Sequence, residues 1–203
     1  MMRQTLIMCA VAAMAGTASA DPVSITSDSF NSTEATGSAY MGSMEYNYDS
    51  GNSGTLSISL TNMSNPTIGG FLTGFVFNID SIDGGAFASL LSASDADFLD
   101  TGIESAGPFG SFDAGAALGA NFSGGGTPSF GMSDGVSESF VFSIIASDAS
   151  TLSSSSFLSS TNDFYVRFRG LNNGGSDMVG TVPSPGTGAL ALIGLACMTR
   201  RRR

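Results

Sequence analysis

Gly54-Thr55-Leu56-Ser57-Ile58-Ser59-Leu60-Thr61 alternates without a break: Leu56, Ile58 and Leu60 share one face, and Ser57, Ser59 and Thr61 share the other. An extended chain points successive side chains to opposite sides, so this stretch predicts a strand with one buried face. Three further stretches repeat the pattern. Phe71 to Ile79 puts Phe71, Phe75, Phe77 and Ile79 on one face and Leu72 and Val76 on the other, which predicts a central strand buried on both sides. Val136 to Ile145 groups Val136, Phe140, Phe142 and Ile144, with Glu138 among them. Phe164 to Arg169 turns Phe164, Val166 and Phe168 inward and leaves Arg167 and Arg169 on the polar face, where carboxylates across the sheet are the expected partners. Weaker strands are expected at Val23–Phe30, Ala39–Tyr48, Asn121–Ser123 and Ser129–Met132. Ala86 to Leu99 has room for one short helix, and Ser150 to Ser160 reads as a loop or short helix.

Turn residues punctuate these runs: Asp49 to Gly54, Asn65-Pro66, Asp83-Gly84-Gly85, Gly124 to Gly126 and Asn172 to Gly175. Many short alternating strands separated by such turns predict an all-β protein, an antiparallel β-sandwich that is jelly-roll-like or immunoglobulin-like.

Composition narrows the chemistry. The 203 residues contain no His, Lys or Trp. Ser-His-Asp and Cys-His catalysis, imidazole metal ligation, Schiff bases and Walker-A phosphate loops are therefore excluded. Cys9 and Cys197 lie in apolar segments near the two ends, so the region between them has no disulfide to lean on and must be held by its core. About 160 residues suffice for that, because a domain of this size buries roughly 70% of its extended-chain surface. All 17 acidic residues fall between Asp21 and Thr181, opposed there by Arg167 and Arg169 alone, a balance of −15. Nucleic acid and anionic lipid demand a positive surface and are not expected partners.

Both ends read as sorting segments. In residues 1–20, Arg3 opens a short basic region, an apolar run extends from Leu6 to about Ala15, and Ala18-Ser19-Ala20 precedes Asp21. This is the three-part pattern of a secretory signal peptide, with signal peptidase cutting between Ala20 and Asp21. Met8 before Cys9 is too large for a lipoprotein signal, so Cys9 is read as an apolar filler. The last 22 residues again have three parts: Val182-Pro183-Ser184-Pro185, an apolar stretch over 186–199, and Arg200, Arg201, Arg202 and Arg203. Its central eleven residues, Gly188 to Met198, span ~16 Å as a helix against a hydrocarbon core of ~30 Å, a marginal transmembrane segment. The arginines would stay cytoplasmic by the positive-inside rule, leaving the domain outside. The expected organisation is thus a signal peptide at 1–20, an ectodomain at 21–171, a flexible stalk at 172–181 and a sorting tail at 182–203.

This tail resembles a PEP-CTERM sorting signal, the substrate tag of bacterial exosortase systems, with Ser184 where that motif usually has Glu. The resemblance implies export, transient insertion in the inner membrane through the tail, processing by an exosortase-like membrane enzyme, and a place at the cell surface or in the extracellular matrix alongside extracellular polysaccharide. No catalytic residues travel with it.

Candidate sites in the ectodomain are sparse. Gly131-Met132-Ser133-Asp134-Gly135 matches the G-x-S-x-G string, but the nucleophile elbow needs a His base and a helix after the turn. Asp95, Asp97, Asp100 and Glu104 form the densest acidic set; paired carboxylates there would suit a glycan hydrolase, and a solvated acidic face is the plainer reading. Oxygen-rich turns at Asp80, Asp83, Asp95, Asp97 and Asp100 have the character of a structural Ca²⁺ site without matching the EF-hand string. The expectation is no catalytic residue and no cofactor, with that Ca²⁺ as the alternative. Tyr40, Tyr46 and Tyr48 alternate along one strand, as an aromatic platform for polysaccharide or as core. The sequence points to a non-enzymatic structural ectodomain, with a polysaccharide- or envelope-binding module as the second reading and a carboxylate-only hydrolase as the third.

Overall fold

A computed structural model describes residues 21–159 and 163–183. Among them the chain forms strands β1 (Val23–Ser32), β2 (Tyr40–Ser50), β3 (Ser53–Asn62), β4 (Gly69–Phe77), β5 (Phe87–Ala93), β6 (Phe98–Asp100), β7 (Glu104–Ser105), β8 (Ser111–Phe112), β9 (Ala114–Leu118), β10 (Ser137–Ile145), β11 (Phe164–Leu171) and β12 (Ser176–Pro183). Short 3-10 turns occupy Pro128–Phe130, Ala149–Thr151 and Ser154–Phe157, and the described residues contain no α-helix.

Ten strands form one antiparallel sheet in the order β5-β10-β3-β2-β1-β12-β11-β4-β9-β6, and β7 and β8 pair as a separate hairpin. The sheet curves until its two edges approach: Leu90 N–H on β5 donates to Asp100 Oδ2 on β6 at 2.9 Å. The protein is therefore all-β, with a nearly closed antiparallel sheet around one main core.

The alternating stretch from Gly54 to Thr61 lies in β3, flanked by β10 and β2. Leu56 lies opposite Phe142 and Tyr46, and Ile58 lies opposite Phe140 and Met44. All six side chains are buried. Gly54 is required here: a Cβ would meet the Tyr46 hydroxyl at 2.2 Å, and that ring must pass to reach the Ala149 carbonyl at 2.8 Å.

Aromatic side chains join the facing parts of the sheet. Phe75 on β4 meets Phe140 on β10 edge-on at 4.7 Å and stacks on Phe164 of β11 at 5.6 Å. Tyr40 on β2 packs against Phe164 and Phe168. A second apolar cluster of Val76, Ala106, Phe112, Ala117, Phe122 and Tyr165 lies outside the β4–β11 region, beneath the segment that carries β7 and β8. β4 is thus buried on both faces, as its composition predicts.

Its phase differs from simple alternation. Arg167 pairs with Gly74 but Phe168 pairs with Leu72, leaving Thr73 as an extra residue on β4. Such a bulge inverts the facing of what precedes it. Leu72 consequently joins the main core with Phe75 and Phe77, and Phe71 is only half-buried.

Three further expectations need correction. Residues 86–99 form β5, a turn and most of β6, because they find hydrogen-bonding partners in β10 and β9. Residues 121–132 form turns and the Pro128–Phe130 helical turn, with only a Leu72–Met132 bridge. The expected stalk is overturned most clearly. Asn172 to Gly175 is a tight turn, and Ser176–Pro183 is β12, bonded on one side to β1 and on the other to β11. Val179 and Thr181 are fully buried, so the domain continues to Pro183.

Candidate functional site

Asp177, near the start of β12, is 2% exposed. Five donors surround its carboxylate. The Ser32 hydroxyl reaches both oxygens at 2.8 and 2.9 Å, the Thr33 and Thr36 hydroxyls donate at 3.0 and 2.6 Å, and the Glu34 and Thr36 amides donate at 3.1 Å each. Burial would raise the pKa of this group, but the hydroxyl and amide donors outweigh it and hold the carboxyl below its ordinary value. This knot pins the β1–β2 loop over the end of the sheet. The Thr33 amide closes it further by donating to the Met178 carbonyl at 3.0 Å.

Beside this loop lies the outer face of β11, where Tyr165, Arg167 and Arg169 alternate. Phe109 stacks on Tyr165 with centroids 3.9 Å apart and planes 20° from parallel. Two backbone bonds in the tip between β7 and β8 hold Phe109 there, Ala106 N–H to Gly110 O and Phe109 N–H to Ala106 O, each 2.8 Å. The Tyr165 hydroxyl donates to Asn31 Oδ1 at 2.9 Å, tying this platform to β1.

The two arginines have different surroundings. Arg169 donates to the backbone carbonyls of Gly125 and Gly126 and so braces that turn. Arg167 lies half-buried in a cleft of about 510 Å³ bounded by Ser32, Thr33, Glu34, Gly107, Pro108, Phe109, Ser176, Asp177 and Met178. Among the described residues its Nη2 makes one long contact to Ser176 Oγ at 3.5 Å, and its Nε is enclosed without a hydrogen-bond partner. Burial and then the neighbouring Arg169 lower its pKa. The carboxylate partners expected across the sheet are not found for either arginine among the described residues, because the outward positions beside Arg167 on β4 and β12 are Gly74 and Met178.

The sequence candidates fall elsewhere. Tyr40 and Tyr46 are core side chains at 2% and 1% exposure, and only Tyr48 is exposed, so the three do not form a surface platform. Burial pushes the Tyr46 hydroxyl up to about 12. Gly131 to Gly135 leads from a 3-10 turn towards β10, with Met132 buried against Leu72 and Ser133 exposed; no helix follows it.

The acidic turns are engaged with backbone. Asp83 accepts from the Gly85 and Ser147 amides at 3.0 and 2.7 Å, Asp95 from the Asp97 amide at 2.9 Å, and Asp100 from the Leu90 and Gly102 amides at 2.9 and 2.8 Å. Asp80 and Asp97 are exposed. Among the described residues, no three of the acidic, Cys or His side chains gather where they would hold a metal ion, so the proposed Ca²⁺ ligands are not brought together. Ala18, Ala20, Ser184, Pro185 and Arg200 to Arg203 lie outside the described residues. Asp21 is exposed ahead of β1, while Val182 and Pro183 end β12. No described helix is long and apolar enough to cross a membrane.

Sequence reading missed Phe109, Ser176 and Asp177. The inward set Asp177, Val179 and Thr181 has the strand period, but it holds one apolar residue, and Gly175 and Gly180 interrupt the stretch, so β12 was masked.

No protein-family model, curated protein or solved structure matches this chain.

Proposed function

We propose that this is an exported, surface-directed protein whose tail is processed by an exosortase-like enzyme and whose ectodomain is a non-enzymatic structural or matrix component. The observation that carries the reading is the pairing of two three-part sorting segments around one acidic β-domain that contains neither His, Lys nor Cys. We read that domain as a β-sandwich of the jelly-roll-like or immunoglobulin-like kind, its halves meeting across the Phe75–Phe140 contact. The sorting motif follows from the centre of the sheet, since Val182 and Pro183 pair with Thr26 and Ile25 of β1. The start of the mature chain and the processing motif then lie at the same end of the domain. Intact mass of the protein from envelope and medium tests this: a species from Asp21 to the neighbourhood of Pro183–Pro185 is expected, and a membrane species retaining Arg200 to Arg203 would overturn the processing step.

The cleft at Arg167 favours a second reading, in which the ectodomain also binds polysaccharide or an envelope partner. Its volume lies in the small-ligand range of about 300–1,000 Å³.

A further inference from the structure

We propose that the Arg167 cleft binds an acidic pyranose, a uronic acid residue of a surface polysaccharide, with its carboxylate on the Arg167 guanidinium and its ring against Phe109. This rests on the binding-module reading and gives it a ligand class. Three observations converge. Arg167 is one of two cations set against 17 acidic residues in the mature region, yet among the described residues its Nη2 makes only one long contact, 3.5 Å to Ser176 Oγ. Arg169, two residues along the same face, shows the structural alternative, since its guanidinium is spent on backbone carbonyls. A planar guanidinium fork matches the two oxygens of a carboxylate, and such charged hydrogen bonds are among the stronger ones available.

The second observation is the platform. Phe109 is held in place by its own turn and by Tyr165, so the apolar C–H face of a sugar ring could dock without ordering a mobile side chain. The third is charge. Glu34 stands exposed at the rim and the surrounding domain is strongly acidic, which disfavours a phosphate dianion or a dense polyanion more strongly than an isolated single carboxylate. An Asp or Glu side chain of an acidic peptide supplies the carboxylate but does not carry it on a ring that would lie against Phe109, so such a peptide is the less favoured ligand.

The test is calorimetric and ligand-observed NMR titration of the full chain in detergent with methyl β-D-glucuronide, methyl β-D-glucoside, acetate and N-acetylglutamate amide. The glucuronide should bind most tightly. Arg167→Met should weaken it by about ten- to a hundredfold, the size expected for losing a charge-assisted pair. Arg167→Lys should restore only part of the loss, and Phe109→Ala should weaken the glucuronide several-fold while leaving acetate unchanged. Glu34→Gln should strengthen binding by about twofold through the removed rim charge. Should Arg167→Met fail to fold, the Lys and Phe109 variants still decide the matter. Equal binding of acetate or the glutamate amide and the glucuronide would overturn the sugar assignment. Binding of the neutral glucoside, insensitive to Arg167, would overturn the acidic-sugar assignment while leaving polysaccharide binding standing. No binding by either sugar would overturn both. The processing reading is judged separately by the mass measurement.

Discussion

Asp177 shows how one residue can organise a loop. It is a buried carboxylate that has no cationic partner among the described residues and is stabilised by five donors from the end of β1 and the β1–β2 connection. Asp177→Asn keeps the size but turns an amide NH₂ towards those donors. We expect a loss of about 1.5–3 kcal/mol, the range for hydrogen bonds to a charged group, read as a lower melting temperature. The pH dependence has a definite sign. A carboxyl whose folded pKa is depressed contributes fully above its unfolded value, about 3.9, and that contribution is lost as pH falls through the folded value. Asp83, held low by the Ser147 and Gly85 amides, and Asp148, held low by the Ser81 hydroxyl, act in the same direction. Thermal melts from pH 6 to pH 2 should therefore show stability falling below about pH 4. The fall should be shallower in Asp177→Asn; an identical acid limb in both proteins would refute the role given to this residue.

At the scale of elements, β4 and the β5–β6 seam carry the fold's least replaceable contacts. Phe75 is fully buried and touches Phe140, Phe142 and Phe164. Phe75→Ala should cost about 3–5 kcal/mol, as deletion of a core ring does, measured by denaturant unfolding. At the seam, Asp100 holds the amides of Leu90 and Gly102. Asp100→Ala should speed hydrogen exchange at Leu90 while leaving the β3 amides protected; unchanged exchange at Leu90 would mean the edges are joined by other contacts. The alternating runs in β3, β10 and β11 were legible because one buried face writes its period directly into the sequence. β5 and β9 were not. Ala114-Gly115-Ala116-Ala117-Leu118 is buried throughout, on both faces, and shows no alternation to read.

At the scale of the molecule, β12 links the fold to its proposed export route. Chain truncated after Thr181 loses the Val182 and Pro183 pairings with β1, whereas truncation after Pro185 keeps them. We expect the shorter form to melt lower and the longer form to match the full chain, so productive processing should fall beyond Pro183; equal melting temperatures would show that the last two pairings add nothing. Legible in the amino-acid sequence were the all-β class, the inward Phe164, Val166 and Phe168, and the chemistry that lacking His and Lys excludes. These are properties of composition and of local period, and neighbours along the chain suffice to set them. Long-range pairing makes β12 a central strand, puts Tyr40 and Tyr46 in the core, turns the acidic loops onto backbone amides, and brings Arg167 and Phe109 into one cleft. Each of these depends on pairing between distant segments: Phe109 reaches β11 only because the β7–β8 turn folds over Tyr165. Such pairings are set by register, bulges and the closure of the sheet, which local alternation does not encode.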